Sequence, residues 1–522
     1  MQQIIRNHKY AFLLPLLCLL TFSAIFALIF SQNFIWQVGM SHDSVFYLNG
    51  AKNLIAGKGY PYTHFPPLYP VALAFVAIIT GKDIISSATL LIIVLYGLNL
   101  FLAGLLIWRL KDSLSASLSI ILVLAVLPGI VRIHLEAMSE PLFFSFLLLS
   151  FIFLNEYKKD GMLKWAVLAG FVAGLAALTR YIAIFLIVMV VLTVLIFDKN
   201  ALKKRITNGF ISGISGVLPI SVWWLSNQAS KGTMTNRFFV FHPKNSEFFH
   251  SGWQGFTDLI GAQFITKWTL RLPGYVFIIC FYLIIALIIY FMVKNFISRK
   301  SDHASLGFAT ICLMSSILYI LTLCVSVTFF DDSTTLSARI LSPIFIQIFL
   351  CIWVLYWPSE KIQLRDPNRI LLAMIVLLLA FVNLPGYLSV TKEFRKEGFL
   401  FTGRAWSTSK TLSWLNLLPD SITIYSNENI PLGFFTKNPV YSLPERKNVS
   451  SGIPDPSFEI NNENMINDIR NGKAILVIFT KNEYSELYQS KDSLIKSLEK
   501  CNTFEDSEVY TGQAYFPDYC GK

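Results

Sequence analysis

Residues 41–70 read SHDSVFYLNGAKNLIAGKGYPYTHFPPLYP. The run from Asp43 to Ala56 predicts a short amphipathic helix, with Val45, Phe46, Leu48, Leu54 and Ile55 at the apolar positions and Gly57 as its stop. Asp43 and Tyr47 share a face at i, i+4, and Phe46, Leu54 and Ile55 are expected to lie against neighbouring apolar segments. Asp is also a common N-cap, so a structural role for Asp43 competes with a chemical one. The stretch continues into PLYPVALAFVAIIT (67–80), which is apolar but too short to cross a bilayer and is expected to lie along its surface.

What flanks this polar, aromatic loop decides the fold. Apolar runs long enough to cross a hydrocarbon core of roughly 30 Å occur at about 10–30, 84–108, 114–131, 138–155, 163–179, 181–197, 206–226, 273–293, 306–328, 340–357 and 370–390. These eleven candidate spans predict an all-α polytopic membrane bundle. Composition agrees: of 522 residues 54% are hydrophobic and 14% charged, with mean hydropathy +0.56, whereas soluble domains carry about 25% charged residues. With 44 Phe, 21 Tyr and 11 Trp to bury, disorder is excluded as well.

The net charge of +11 is unevenly spread, because residues 391–522 hold 15 basic against 17 acidic side chains. The basic excess therefore belongs to the membrane half, residues 1–390, and no basic patch on a soluble domain points to a nucleic-acid partner. If the N-terminus with Arg6 and Lys9 is cytoplasmic, alternate loops on that side collect Arg109 and Lys111, Lys158, Lys159 and Lys164, Lys199 to Arg205, Lys294 to Lys300, and Lys361 to Arg369. That is the positive-inside pattern, and it places the first loop (31–83) and the 391–522 tail outside the cell or inner membrane. The tail predicts a small α/β domain, with helices near Ser407–Leu418, Glu463–Asn471 and Glu483–Leu498 and strands at Ser421–Ser426 and Ala474–Thr480. Cys501 and Cys520 are the only cysteines outside apolar runs, and an external tail permits them to pair.

Acidic residues are almost absent from mid-span, where a pump would keep them. Ionisable residues gather instead at the outer ends of the spans: Asp43, His64, Arg132, His134, Glu136, Glu140, Arg180, Asp331, Asp332 and Arg339. Asp331-Asp332 is expected to be a solvated loop, and Thr179-Arg180-Tyr181 a tight hairpin. Gly170/Gly174 and Gly209/Gly213 have the spacing of close helix packing. No Walker A, strand-linked GxGxxG or HExxH occurs. His242 and His250 have no ligand spacing, and Asn448-Val449-Ser450 fits a glycosylation sequon.

The pattern D-S-x-x-Y-L-x-x-A-x-N-L-x-x-G-x-G-Y from Asp43, followed by His64-Phe65-Pro66-Pro67-Leu68-Tyr69-Pro70, resembles the first outer loop of the GT-C membrane glycosyltransferases. The likeness is to the bacterial branch related to protein O-mannosyltransferases and the lipid A aminoarabinose transferase. Ser139-Glu140-Pro141-Leu142-Phe143 resembles that branch's second acidic motif, and Thr179-Arg180-Tyr181 and Arg339-Ile340-Leu341-Ser342-Pro343 resemble two further positions. The Arg such proteins often carry before the second span is absent, because this chain reads Ile84-Ile85-Ser86-Ser87-Ala88 there.

The resemblance implies an inverting transfer of a sugar from a polyprenyl-phosphate carrier to a glycan, lipid or protein acceptor at the outer face. Such a reaction needs a base for the acceptor hydroxyl and a cation for the departing phosphate. Asp43 is the implied base and Glu140 its partner in orienting the acceptor; Arg180, Arg339 or Arg132 is the cation. Tyr47, His64 and Tyr69 complete the expected substrate-binding set. Asp43 and Glu140 could alternatively share a divalent cation, Mg²⁺ or Mn²⁺. Each position also has a plainer role: a helix-dipole acid for Glu140, headgroup anchors for the arginines, an ordinary loop residue for His64. A flippase or transporter of lipid-linked sugar is the alternative function.

Overall fold

The computed structural model describes residues 2–259, 303–357, 367–448, 452–480, 488–512 and 520. The membrane half comprises α1 (Gln2–Ser31), α2 (His42–Ile55), α3 (Leu68–Thr80), α4 (Ile84–Lys111), α5 (Leu114–Val126), α6 (Pro128–His134), α7 (Glu140–Asp160), α8 (Leu163–Thr179), α9 (Ile184–Phe197), α10 (Leu202–Lys231), α11 (Ser246–Leu259), α12 (His303–Phe329), α13 (Ala338–Tyr356) and α14 (Pro367–Glu397). Among the described residues seven helices are long and apolar enough to cross a membrane, or eight if α5 and α6 form one bent span. Helices α8 and α9 are apolar but shorter. Ten of the eleven expected spans thus fall on described helices. The run at 273–293 lies outside the described residues, as do Lys294, Arg299, Lys300, Lys361 and Arg365.

Local chemistry sets the boundaries. Asp83 caps α4 by accepting from the backbone N–H groups of Ile85 and Ser86, each at 3.0 Å. Pro128 cannot donate to the helical ladder, and the chain bends by 69° between α5 and α6 there. Helix α8 ends at Thr179, Arg180 is extended, and a 3₁₀ turn over Tyr181–Ala183 leads into α9, which is the expected hairpin. The stretch at 68–80 is a helix as expected, burying Tyr69, Leu73 and Ala77 and exposing Phe75, Ile78 and Ile79.

Small residues bring α8 and α10 together. A Cβ at Gly170 would come within 2.2 Å of the Ser212 carbonyl oxygen, and one at Gly174 within 2.3 Å of that of Gly216. Backbones approach this closely only where side chains are missing.

The tail folds as an α/β unit: α15 (Arg404–Ser407), α16 (Lys410–Leu415), β1 (Thr423–Ser426), α17 (Asn429–Phe435), β2 (Val440–Ser442), α18 (Phe458–Arg470), β3 (Ala474–Phe479), α19 (Lys491–Ile495), β4 (Glu499–Thr503) and β5 (Ser507–Thr511). The sheet order is β2-β1-β3-β5-β4, with β1 parallel to β2 and β3, and β5 antiparallel to β3 and β4. All six residues of β3 are buried, as suits a central strand covered on both faces. Cys501 and Cys520 form a disulfide, which ties the end of the tail to β4. The expected helix at 483–498 is seen as α19 alone where residues are described; 481–487 and the last two residues of the sequon, 449–450, lie outside them.

A short backbone junction joins the two units. Gly39 N–H donates to the Leu135 carbonyl at 2.8 Å and Ala137 N–H to the Gly39 carbonyl at 2.9 Å, while Phe401 N–H donates to the Met40 carbonyl at 3.0 Å. The Thr402 hydroxyl donates to the Val38 carbonyl at 2.7 Å, and Val38 N–H donates to Thr89 Oγ1 of α4 at 3.0 Å. Residues 38–40 are therefore held by the loop before α7, by α4 and by the start of the tail.

Gly174→Val would press its side chain into the α10 backbone. A loss of about 1–3 kcal/mol is expected, as for other overpacked sites, read as a lower unfolding midpoint in micelles or nanodiscs.

Candidate active site

Helix α2 begins beside that junction. Ser41, not Asp43, is the N-cap, and the Ser41 N–H donates to Ser44 Oγ at 3.1 Å. Capping therefore does not account for Asp43, which sits two positions further in, within the first turn. The buried face is Ser44, Val45, Tyr47, Leu48 and Ala51. The expected apolar set is corrected accordingly: Ile55 is exposed and Phe46 and Leu54 are only partly buried, because residues 44, 47/48 and 51 form the stripe that meets the bundle. That phase leaves Asp43 at the edge of the contact.

At that edge four charges alternate in sign. Arg339 Nη1, in the first turn of α13, donates to Asp43 Oδ2 at 2.8 Å. Arg339 Nε reaches Glu140 Oε1, at the start of α7, at 3.1 Å, and Arg180 Nη1 pairs with the same oxygen. Side-chain exposure divides the four, with 1% at Glu140 and 17% at Arg180 against 32% at Asp43 and 35% at Arg339. Glu140 and Arg180 are thus the buried foundation, and the Asp43–Arg339 pair is the part a ligand can reach.

The sequence-predicted residues divide into groups. Asp43, Glu140, Arg180 and Arg339 come together. Tyr47 joins them, its hydroxyl 3.1 Å from Ser139 Oγ; burial first, and then the charges of Asp43 and Glu140, hold that hydroxyl far above the ordinary phenol range, so it stays protonated. Tyr69 is fully buried with its ring 5.2 Å from that of Tyr47, and its hydroxyl has no partner among the described residues. His64 stands apart, packed on Phe65, Phe46 and Tyr62, and burial followed by the Arg237 charge lowers its pKa. Arg132 is exposed and forms no ion pair with the cluster. Of the expected solvated Asp331-Asp332 loop, Asp332 is exposed but Asp331 is buried; Arg237 donates to Asp331 at 2.6 Å and Lys244 to Asp332 at 2.9 Å, pinning the 233–245 strap.

Sequence reasoning missed Met138, whose sulfur accepts from Ser41, Ser44 and Arg339 at 3.5, 3.4 and 3.8 Å. It also missed the aromatic brace that holds the loop: Tyr181 OH donates to the Thr63 carbonyl at 2.7 Å and Trp223 Nε1 to Tyr181 OH at 2.9 Å. Met138 directly precedes the Ser139-Glu140 motif, which was the available signal; nothing in the sequence marks the brace.

A metal shared by Asp43 and Glu140 does not fit this arrangement. Arg339 stands between the two carboxylates and Arg180 adjoins one of them, so a divalent cation would lie against two guanidinium charges. Among the described residues no three His, Cys, Asp or Glu side chains gather in metal-binding geometry.

A sequence model of the dolichyl-phosphate-mannose-protein mannosyltransferase family matches residues 64–224. ArnT from Cupriavidus metallidurans in the apo state superposes with a TM-score of 0.63 at 12% identity, over 95% of this chain and 98% of that one. The chain shares the GT-C fold. ArnT bound to undecaprenyl phosphate gives a TM-score of 0.59 at 14% identity, with the same coverage. The archaeal oligosaccharyltransferase AglB from Archaeoglobus fulgidus, in complex with an inhibitory peptide and a dolichol-phosphate, gives 0.52 at 14% identity, over 96% of this chain and 75% of that one. No curated protein sequence matches. At these identities the structural likeness shows a shared fold alone.

Removing one guanidinium leaves the buried Glu140 charge half-compensated. Arg180→Met should lose about 3 kcal/mol, the lower end for a broken buried pair because Arg339 remains, and Arg180→Met with Glu140→Leu should recover most of it in denaturant unfolding. Glu136, partly buried in the loop before α7, offers a pH test: burial pushes its carboxyl up to about 7, with Arg339 opposing. A pKa raised by folding stabilises fully below the ordinary carboxyl range, and that stabilisation fades as pH climbs through about 7. The melting temperature should therefore fall between about pH 5 and pH 8, and Glu136→Gln should flatten that slope.

Proposed function

We propose that the protein is an inverting glycosyltransferase that moves a sugar from a polyprenyl-phosphate carrier to an acceptor hydroxyl at the outer face of a cell or inner membrane. The observation that carries this reading is the reachable Asp43–Arg339 ion pair, backed by buried Glu140 and Arg180 at one end of an apolar bundle. The family match and the ArnT and AglB likenesses support the donor class, since those structures hold undecaprenyl phosphate and a dolichol-phosphate.

In this reading the acceptor oxygen attacks the anomeric carbon on the face opposite the phosphate. The new C–O bond forms as the bond from the anomeric carbon to the phosphate oxygen breaks, polyprenyl phosphate departs, and the acceptor proton passes to the Asp43 carboxylate. Arg339 faces the departing phosphate, for which a planar guanidinium is well shaped. Its fork has donors beyond those spent on Asp43 and Glu140, so phosphate on the open side draws it from Asp43 and frees that carboxylate as the base. Glu140 and Arg180 keep Arg339 in place without touching substrate. The N-terminus is cytoplasmic and the tail external in this account, following the loop charges.

Asp43→Asn keeps the shape and removes proton acceptance. Transfer in membranes should slow by roughly 10²- to 10⁴-fold, with expression and undecaprenyl-phosphate binding retained. Near-normal glycan formation by this variant would sink the assignment, and transport of lipid-linked sugar without transfer would move the protein to the flippase reading.

A further inference from the structure

A cleft of about 390 Å³ lies where the bundle meets the tail. Trp36, Gln37, Asp83 and Ser86 form its bundle side, from the lead-in to α2 and the start of α4. Phe401, Trp406, Ser413, Asn416 and Phe435 face them from the tail. The volume is within the range of about 300–1,000 Å³ typical of small-ligand sites.

The lining chemistry narrows the ligand. Asp83 is the only charged lining residue, and its carboxylate is already the N-cap of α4. A phosphate or an acidic peptide would find no cation on these walls. The serine, glutamine and asparagine side chains bond within the fold, and a lipid tail would leave their remaining hydrogen-bonding capacity unused. Aromatic rings interleaved with hydroxyls and amides suit a neutral molecule that has apolar C–H faces and a rim of hydroxyl groups.

Position links the cleft to the charge cluster. The Phe401 ring, on the cleft wall, meets the His42 ring edge-on at 4.8 Å. His42 directly precedes Asp43, and its Nε2 lies 2.9 Å from Glu428 Oε2 of the tail. The cleft wall is therefore in direct contact with the residue that precedes Asp43.

We propose that this cleft is a subsite for a neutral saccharide, the part of an acceptor glycan that lies beyond the hydroxyl presented to Asp43. The subsite rests on the transferase reading for its role, but its occupancy can be measured without transfer. Maltotriose, mannotriose and chitotriose serve as probes in saturation-transfer NMR on the full chain in lipid nanodiscs free of glycoside detergent. At least one trisaccharide should give signal, and Ser413→Trp and Asn416→Trp, both exposed positions that fill the cleft, should each weaken its binding tenfold or more. Undecaprenyl-phosphate binding should be unchanged in both variants, which shows that they are folded. Asp43→Asn should bind the trisaccharide as the parent does, so loss of the catalytic assignment and loss of the subsite are separate results. Absence of signal from all three probes, or signal that both filled variants retain in full, overturns the proposal.

Discussion

A carboxylate only 1% exposed at the start of a membrane helix has to be matched by positive charge carried in from elsewhere in the chain. Glu140 takes that charge from Arg180, in the turn between α8 and α9, and from Arg339, at the start of α13. Three elements far apart in sequence are thereby fixed at one end of the bundle. Arg339, once placed, extends to Asp43 and sets where α2 begins against the helices. The buried acid is in this sense the keystone, and the more exposed pair is its consequence.

The tail is attached where this arrangement is most sensitive. Residues 38–40 pair on one side with the loop that leads into Glu140 and on the other with residues 399–402. The ring of Phe434 in α17 receives the Lys52 ammonium at 3.4 Å, near the far end of α2, while Glu428 meets His42 at its near end. The helix that carries Asp43 is therefore held at both ends by the tail, which is more than a tethered appendage would provide.

The bundle was legible in the sequence because lipid demands long uninterrupted apolar runs, and such runs survive any packing detail. Asp43, Glu140, Arg180 and Arg339 were legible for the complementary reason, as charges at the ends of those runs. The pairing order among them was not, since it depends on which helices become neighbours. Nor was the phase of α2: Ile55 and Val45 are equally apolar as letters, and only the position of α3 and α4 decides which one is covered. The short strands β2, β4 and β5 escaped because Val440–Ser442, Glu499–Thr503 and Ser507–Thr511 lack a clear alternating or apolar run and take their strand character from β1 and β3 beside them. Ser41 as the N-cap was available in the letters but was overshadowed by Asp43, two residues on.

The contact between Asp43 and Arg339 has a kinetic meaning under the proposed reaction. A base whose oxygen is occupied by a guanidinium is quiescent until something anionic competes for that guanidinium, and the donor's phosphate is such an anion. Substrates would then engage in compulsory order, carrier first and acceptor second. Water, which is always at hand as a rival acceptor, would meet an unready site whenever the carrier is absent, and the energy stored in the activated sugar would be guarded against idle hydrolysis by the resting state of the ion pair itself.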